Sequence, residues 1–130
     1  MKNEAGLGEL RIEFTEEMIL AYGGSGRHLH ADRVVAAELG FPGLVSWGTL
    51  TILPFTALLA RFAGPDWSTG GVLSTRLSKP VCAGDVVVYS GREIEESSSE
   101  DNVRTFELTA VSARSGLVAT AQATLGRAHF

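Results

Sequence analysis

Cysteine, positive charge and long apolar runs are all scarce in this chain of 130 residues, which has one cysteine, 11 basic residues and 15 acidic ones. The single cysteine, Cys82, excludes an internal disulfide and a cysteine-based zinc site. The formal net charge of -4 argues against nucleic-acid binding, which needs a basic face. An anionic ligand held by a local cluster of charge remains compatible with this balance.

We expect neither a secretion signal nor a membrane-spanning helix in this sequence. The first ten residues, MKNEAGLGEL, contain acids and no apolar run, so they do not form a secretion signal. The longest apolar stretch, Thr49 to Ala63, has 15 residues, whereas a membrane-spanning helix needs about 20. We therefore expect a cytoplasmic protein with no membrane partner, built as a single domain over residues 1–130.

The first part of the chain alternates a short strand with helical patterns. Leu10 to Phe14 alternates apolar and charged residues, which indicates a strand with one buried face. Thr15 then has the character of an N-cap, and the helix that it starts ends at Gly23 and Gly24. Asp32 similarly caps a second predicted helix, Arg33 to Leu39.

The stretch from Thr49 to Ala63 is apolar on nearly every side, with Arg61 as its one charge. A helix without a polar face must be covered on most sides, so this segment predicts a buried central helix. Pro54 lies inside it. Either the helix is kinked there, or it begins near Thr51 and leaves Pro54 in its first turn.

The second half of the chain has the alternation of strands. Four strands are predicted, at Val72 to Leu77, Asp85 to Ile94, Val103 to Ser112 and Leu117 to Leu125. In the last strand, one face is predicted to carry Leu117 and Leu125 with three alanines between them. The polar segment Glu95 to Asp101 indicates a hairpin tip. Strands segregated from helices predict an α+β fold, with five antiparallel strands curled round one helix.

The loop between the first two helices holds the residues that are able to do chemistry. Ser25, Arg27, His28 and His30 lie there among glycines, and loops on a rigid scaffold often carry active-site groups. A histidine titrates near pH 6.5, which suits proton transfer at neutral pH. The two histidines are two residues apart, but no third ligand has a suitable spacing, so we do not expect a metal site.

Several short motifs occur here in a familiar order. They are Ser25-Gly26, Arg27-His28, Leu29-His30-Ala31-Asp32, Ala36, Val45-Ser46-Trp47-Gly48, and Lys79-Pro80-Val81-Cys82-Ala83-Gly84-Asp85. In this order, between about Phe14 and Leu125, the chain resembles the MaoC-like hydratases and dehydratases. The resemblance implies a hotdog fold, in which an antiparallel sheet wraps a central helix.

The resemblance also implies roles for individual residues. In that family an Asp–His pair positions a water that adds to, or leaves from, a 2-enoyl thioester. By position, His30 would be the general acid or base. Gly48 would present its backbone N–H, at the start of the central helix, to the thioester oxygen. Ser46, Trp47 and Thr56 would line the substrate site.

Two departures from the family pattern fall in this site. The family's aspartate is absent: Ser25 occupies its spacing if the loops align without a gap, and otherwise the aspartate is deleted after Gly26. Trp47 stands where the family has its second histidine, either as a packing residue or as one that narrows the acyl pocket.

The residues alone leave other roles open. His28 is either a second acid or base that replaces the aspartate, or an exposed side chain. Arg27 either binds a carboxylate or phosphate, or is solvated. Tyr22 either lines the pocket or closes its helix against the core, and we prefer the second interpretation. Asp32 is read as a helix cap rather than a catalytic acid.

The resemblance points to an acyl-thioester lyase that acts on a 2-enoyl thioester of coenzyme A or acyl carrier protein and needs no cofactor. A hotdog thioesterase is an alternative, although such enzymes use an acidic base and Asp32 is the only acid in the loop. A non-catalytic acyl-binding subunit is another. Because an open sheet leaves edges to be covered, and because hotdog proteins commonly pair, we expect a homodimer.

Overall fold

The computed structural model describes residues 4–94 and 103–126 of the chain. Within these ranges the elements follow in the order β1 (Glu4–Glu13), α1 (Glu16–Gly23), α2 (Arg33–Glu38), α3 (Gly48–Ala63), α4 (Pro65–Gly70), β2 (Gly71–Leu77), β3 (Val86–Ile94), β4 (Val103–Ser112) and β5 (Gly116–Gly126). The predicted α+β class is confirmed, with the strands other than β1 gathered in the second half.

The five strands form one antiparallel sheet in the order β1-β3-β4-β5-β2. Helix α3 lies against one face of this sheet, with Phe55 and Leu58 fully buried among the core side chains. The Phe55 ring meets the Tyr89 ring of β3 edge to face, with centroids 5.2 Å apart. The predicted arrangement of a five-stranded sheet round a central helix is therefore confirmed.

The predicted ends of the two short helices are also found. The side chain of Thr15 accepts a hydrogen bond from the N–H of Met18 at the start of α1, and Gly24 ends that helix with φ of 78°. The side chain of Asp32 accepts from the N–H groups of Val34 and Val35 at the start of α2. Both caps satisfy backbone donors that a helix leaves without partners.

Helix α3 differs from the expectation in two respects. It begins at Gly48, so a start near Thr51 is wrong, and Pro54 lies inside the helix without an N–H to donate. The helix is also not covered on most sides, since Leu53 is 46% exposed and Ala57 and Ala60 are exposed. In the single chain the sheet covers one side of α3, and the other side faces outward.

Strand β5 contains an irregularity that the alternation did not predict. Ala110 pairs with Ala119 while the next residue, Val111, pairs with Leu117, so Val118 is an extra residue in β5. Because of this bulge, Val118 and Ala119 are both buried and Leu117 is 44% exposed. The prediction that Leu117 shares one face of β5 with Leu125 and the three alanines is wrong for this reason.

The backbone carbonyl of Val118 holds the segment that follows β2. It accepts the N–H of Ser78 at 2.7 Å and that of Lys79 at 3.2 Å. The bulge near the start of β5 is thus hydrogen-bonded to the segment that follows β2, the strand beside it.

Smaller differences concern the ends of other elements. Strand β1 begins at Glu4, six residues before the predicted start, and its register shifts between Gly6 and Glu9. The short helix α4 was not predicted, although Pro65 at its first turn is a common helix start. The predicted hairpin tip, Glu95 to Asp101, lies outside the described residues. None of the helices that the structure describes is both long and apolar enough to cross a membrane.

Candidate functional site

The short segment before α3 connects the histidine loop to the turn before β3. The N–H of Val45 donates to the carbonyl of Leu29 at 3.0 Å, and that of Ser46 donates to Val81 at 2.7 Å. Val45 also forms an isolated antiparallel bridge with Cys82. These bonds fix the segment on both sides, so the residue that follows the bridge, Ser46, and the start of α3 have a defined position beside the loop.

The same segment fixes the imidazole of His30. Its Nδ1 lies 2.7 Å from the carbonyl oxygen of Val45. A carbonyl oxygen only accepts, so we assign the proton of the neutral ring to Nδ1. The other nitrogen, Nε2, then carries a lone pair, which is the form that a general base requires.

Trp47 supports the His30 ring from one side. The two rings are stacked, with centroids 3.9 Å apart and planes inclined by 18°. The His28 ring and the same indole meet in a T-shaped contact, with centroids 5.9 Å apart. The loop histidines and the tryptophan therefore form one aromatic cluster.

Gly23, the last residue of α1, makes room for this tryptophan. A Cβ atom at Gly23 would lie 1.9 Å from the indole Nε1, which is far inside van der Waals contact. The Nε1 atom itself is buried and has no hydrogen-bond partner within the described structure. The indole is thus held by close approach to the α1 backbone rather than by a hydrogen bond.

A cleft of about 320 Å³ opens beside His30. Its lining residues are His30, Val45, Ser46, Gly48, Thr51, Leu77, Ser78, Lys79, Pro80 and Val81. It contains the imidazole, two buried hydroxyl groups and the first turn of α3. Among the residues that the structure describes, none in this lining carries a carboxylate.

The first turn of α3 is open toward the cleft. Its N-cap residue, Trp47, makes no side-chain hydrogen bond to the first backbone N–H groups, and Gly48 lies in the cleft lining. Uncapped N–H groups at a helix N-terminus attract an anion or a developing negative charge, and the helix dipole adds to this. The cleft therefore contains both an imidazole that is able to accept a proton and a helix N-terminus that is able to stabilise negative charge.

His28 is close to His30 but does not line the cleft. Its Nδ1 accepts the backbone N–H of His30 at 3.3 Å, and the ring centroids of the two histidines are 5.6 Å apart. A Cβ atom at Gly26 would lie 2.9 Å from His28 Nε2, so that nitrogen faces the loop backbone. The structure therefore places His28 in the aromatic cluster but outside the cleft lining, where it accepts a hydrogen bond from the His30 backbone.

The other predicted site residues lie outside the cleft lining. Ser25 and Arg27 are exposed. Tyr22 is 46% exposed, so the preferred reading of it as a core residue is wrong, and its hydroxyl donates to Thr49 Oγ1 at 2.7 Å. The hydroxyl of Thr56 donates to the carbonyl of Leu53 in its own helix.

Among the polar residues of the cleft lining, Thr51, Ser78 and Lys79 were not singled out from the sequence. Thr51 was considered only as a helix boundary, although it lies three residues after Gly48 and is buried at the cleft. Lys79 belongs to the turn motif before β3, and its ammonium donates to the carbonyl of Ser115 at 2.8 Å. Hydroxyl side chains in the first turn of an otherwise apolar helix were the signal that would have found Thr51.

The turn before β3 also holds an ion pair between the buried carboxylate of Asp85 and the guanidinium of Arg114, whose side chain is 42% exposed. Arg114 donates from Nε to Asp85 Oδ1 at 2.7 Å and from Nη2 to Oδ2 at 2.9 Å. Burial raises the pKa of Asp85, but the hydrogen bonds from Arg114 and from the Cys82 N–H outweigh it, so the net pKa lies below its usual value. Burial also raises the pKa of the Cys82 thiol. The ion pair and the hydrogen bond from the Cys82 N–H to Asp85 stabilise the turn.

A larger depression of about 540 Å³ lies on the sheet. Strand side chains such as Arg76, Glu107 and Gln122 line it, and none of its described lining residues is a histidine, a cysteine or the start of a helix. We therefore place the candidate site in the smaller cleft. Across residues 4–94 and 103–126, no group of three or more potential ligands is arranged to hold a metal ion.

Comparison with solved structures supports this architecture, whereas two other comparisons found no match. No protein-family model matches the chain, and no curated protein matches it. Among solved structures, it is similar to one from the ChsH1–ChsH2 complex of Mycobacterium tuberculosis, with 21% identity, a TM-score of 0.79, and coverage of 98% of this chain and 99% of that one.

Two further structures are similar to the chain. An (R)-hydratase from A. caviae involved in PHA biosynthesis is 19% identical, with a TM-score of 0.76 and coverage of 98% of both chains. A MaoC-like dehydratase is 16% identical, with a TM-score of 0.81 and coverage of 98% of this chain and 41% of that one. The chain thus has the hotdog fold that these MaoC-like dehydratases and (R)-hydratases share, as predicted.

Proposed function

We propose that this hotdog chain is a hydro-lyase of the MaoC-like type, which adds water to a 2-enoyl thioester or removes it from the 3-hydroxyacyl thioester. The observation that carries the proposal is the shared cleft of His30 and the N-terminus of α3. One supplies a base and the other stabilises negative charge, and thioester hydration needs both. The similarity to an (R)-hydratase and a MaoC-like dehydratase supports the same reaction.

In the hydration direction, His30 Nε2 takes a proton from water while the water oxygen bonds to the β-carbon of the enoyl group. The π electrons of the double bond move toward the thioester, whose oxygen becomes an enolate. The N–H of Gly48 and the dipole of α3 stabilise that oxygen. The protonated His30 returns a proton to the α-carbon, and this completes the 3-hydroxyacyl thioester. Dehydration is the reverse sequence.

The hydrogen bond to Val45 has a direct role in this scheme. It holds the proton of the neutral ring on Nδ1 and directs the lone pair to Nε2. A backbone carbonyl thus does part of what a carboxylate partner does for many catalytic histidines. The acyl-thioester would be carried by coenzyme A or acyl carrier protein.

The test is a hydration assay with 2-enoyl-coenzyme A and 2-enoyl acyl carrier protein substrates of increasing chain length, beginning with crotonyl-coenzyme A because the cleft is small. Loss of the enoyl absorbance, with formation of the 3-hydroxyacyl product, is the expected result. Inactivity with every chain length on both carriers would contradict the proposal. Release of free thiol from saturated acyl-coenzyme A would instead indicate a thioesterase.

A non-catalytic acyl-binding subunit is the second candidate, and one observation favours it. None of the described residues that line the cleft carries a carboxylate, and Asp32 is engaged as the cap of α2. The same lack disfavours a thioesterase with an acidic base. Tight thioester binding without turnover, unchanged in His30→Ala, would support the binding subunit.

We also propose that the chain forms a homodimer through β2, in a single domain. Of the two edge strands, β1 has charged side chains and an irregular register, two features that protect an edge. Strand β2 lacks acidic residues, and Val72 on it is 65% exposed. Antiparallel pairing of two β2 strands would continue the sheet and place the cleft, which includes Leu77, near the subunit contact.

A further inference from the structure

Three hydrogen-bond donors converge on one backbone carbonyl at the edge of the cleft. The oxygen of Trp47 lies 3.0 Å from the N–H nitrogen of Thr51, 3.1 Å from Thr51 Oγ1 and 3.1 Å from Ser46 Oγ. A carbonyl oxygen has two lone pairs. One of the three donors is therefore in surplus.

One of the three donors, the Thr51 hydroxyl, has a second acceptor close by. Thr51 Oγ1 lies 3.0 Å from Ser46 Oγ, so its proton has two possible directions. In one arrangement, Thr51 donates to Ser46 and Ser46 donates to Trp47. In the other, Thr51 donates to Trp47, and the Ser46 proton has no acceptor on this carbonyl.

Both hydroxyl groups are buried in the cleft lining, so the direction of their protons decides which of them is able to donate to a bound ligand. Ser46 is 5% exposed and Thr51 is 1% exposed, and both line the cleft with Gly48. The change between the two arrangements rotates hydroxyl protons and moves no heavy atom. A ligand oxygen in the cleft is able to take the Ser46 proton while Thr51 satisfies the carbonyl.

We propose that the Ser46 hydroxyl is a second donor to the thioester oxygen, beside the N–H of Gly48, and that Thr51 is the residue that positions it. This proposal rests on the proposed function. Ser46 donates a hydrogen bond and transfers no proton. The enolate oxygen formed during hydration is more negative than the ground-state carbonyl oxygen, so a second preorganised donor lowers the barrier more than it tightens substrate binding.

The kinetic test compares four variants. Ser46→Ala removes the donor and should lower kcat by about 10²–10³-fold with little change in KM. Thr51→Val leaves Ser46 as the sole hydroxyl donor to Trp47, so it should lower kcat by about tenfold, and Thr51→Ser should restore most of the loss. Thr69→Val, which removes a hydroxyl bonded to the Asp66 carbonyl outside the cleft, should have no effect.

The double variant separates a positioning role from simple packing. If Thr51 acts only through Ser46, Ser46→Ala with Thr51→Val should be no slower than Ser46→Ala alone. Losses that multiply would show that the two side chains stabilise the cleft independently and would overturn the proposal. Equal melting temperatures of the variants would exclude unfolding as the cause of a loss.

A spectroscopic readout does not depend on turnover. Crotonyl-coenzyme A labelled with ¹³C at the thioester carbonyl is bound to the wild-type chain and to Ser46→Ala, and the carbonyl stretch is recorded by difference infrared spectroscopy. The stretch should lie at lower frequency in the wild-type chain. Equal frequencies in the two proteins would overturn the role of Ser46.

The outcomes also separate this inference from the proposed function. Wild-type turnover with an unaffected Ser46→Ala variant overturns the inference alone. Thioester binding without turnover overturns the hydro-lyase, while the carbonyl frequency still decides the role of Ser46. A wild-type chain that neither binds nor converts a thioester overturns both.

Discussion

The imidazole of His30 is stacked on the indole of Trp47, at a centroid distance of 3.9 Å. The ring is thus fixed on its face by Trp47 and on its edge by the Val45 carbonyl, 2.7 Å from Nδ1. A tryptophan takes the place at which the MaoC-like pattern has a histidine, and its contact here is with the remaining histidine. The substitution therefore supports the proposed base instead of only filling space.

Replacing Trp47 should reveal this support. In Trp47→Ala, the His30 ring loses one flat contact, and we expect kcat for enoyl-thioester hydration to fall by about 10–100-fold, since small displacements of a catalytic group are costly. Trp47→Phe retains a flat face and should lose less than tenfold. Steady-state kinetics of both variants test this, and an unaffected Trp47→Ala would show that the stacking has no catalytic role.

Gly23→Ala should damage the site from a distance. Helix propensity favours alanine by up to about 1 kcal/mol, but a Cβ at 1.9 Å from Trp47 Nε1 forces the indole to move. We expect a net loss of about 1–3 kcal/mol in the free energy of unfolding and a drop in kcat like that of Trp47→Ala.

Gly6→Ala is the matched control for that variant, because no atom lies within 4 Å of a Cβ at Gly6. Urea unfolding followed by circular dichroism measures the stability. Equal free energies of unfolding for Gly23→Ala and Gly6→Ala would show that the close approach of α1 to Trp47 does not contribute to stability.

The two loop histidines should have unequal importance. His30→Ala should lower turnover by about 10²–10⁴-fold, the range for one general catalyst, and the fold should survive. His30→Asn keeps a donor for the Val45 carbonyl but has no base, so it should be equally impaired. His28→Ala should lose less than tenfold because His28 does not line the cleft.

Two results would contradict this order. Full activity in His30→Ala would remove the centre of the proposed mechanism. Equal impairment of His28→Ala and His30→Ala, with a double variant no worse than either, would show that the histidines act as a unit.

The pair of Asp85 and Arg114 should make stability depend on acid pH. The net pKa of Asp85 is depressed in the folded chain, so its contribution is present above the unfolded value, near pH 3.8, and is lost as pH falls through the folded value. Arg114→Met should lower the free energy of unfolding at pH 7 by about 1–2 kcal/mol, because solvent screens the exposed part of Arg114.

The difference from wild type should then shrink below about pH 4, because a protonated Asp85 no longer needs the guanidinium. Urea unfolding between pH 2.5 and pH 7 measures it. Arg33→Met, which breaks the exposed pair with Glu16, is the control and should show a smaller effect at every pH. A constant deficit for Arg114→Met would exclude a charge effect at Asp85.

The proposed dimer predicts that β2 is sensitive to a charge. Val72→Lys places an ammonium on the exposed edge strand and should leave a chain of 13.8 kDa, whereas the wild type should have twice that mass. Val34→Lys is the matched control, since Val34 is also 65% exposed but lies on α2. Sedimentation equilibrium at micromolar concentration tests this. A monomeric wild type would contradict the dimer.

Much of the fold could be predicted because local signals and burial agree. The caps at Thr15 and Asp32 act within three residues of themselves, so sequence spacing alone identifies them. The strands follow the alternation of their side chains. The bulge at Val118 could not be predicted, because it depends on pairing with β4 and changes which residues face the core.

The site was only partly accessible from the sequence. The order of motifs brings His30 and Gly48 together, and the structure places both on one cleft. The stacking of Trp47 on His30, the clearance at Gly23 and the surplus of donors at the Trp47 carbonyl depend on contacts between distant segments. Alternation and spacing do not contain that information.

The extra residue in β5 also bears on the cleft. Through its carbonyl, Val118 holds the N–H groups of Ser78 and Lys79, which form a wall of the cleft that His30 also lines. The position of these two lining residues therefore depends on the bulge in the pairing of β4 with β5. A deletion at Val118 that restored regular pairing would move this wall relative to His30, so preference for acyl chain length is expected to change without any substitution in the histidine loop.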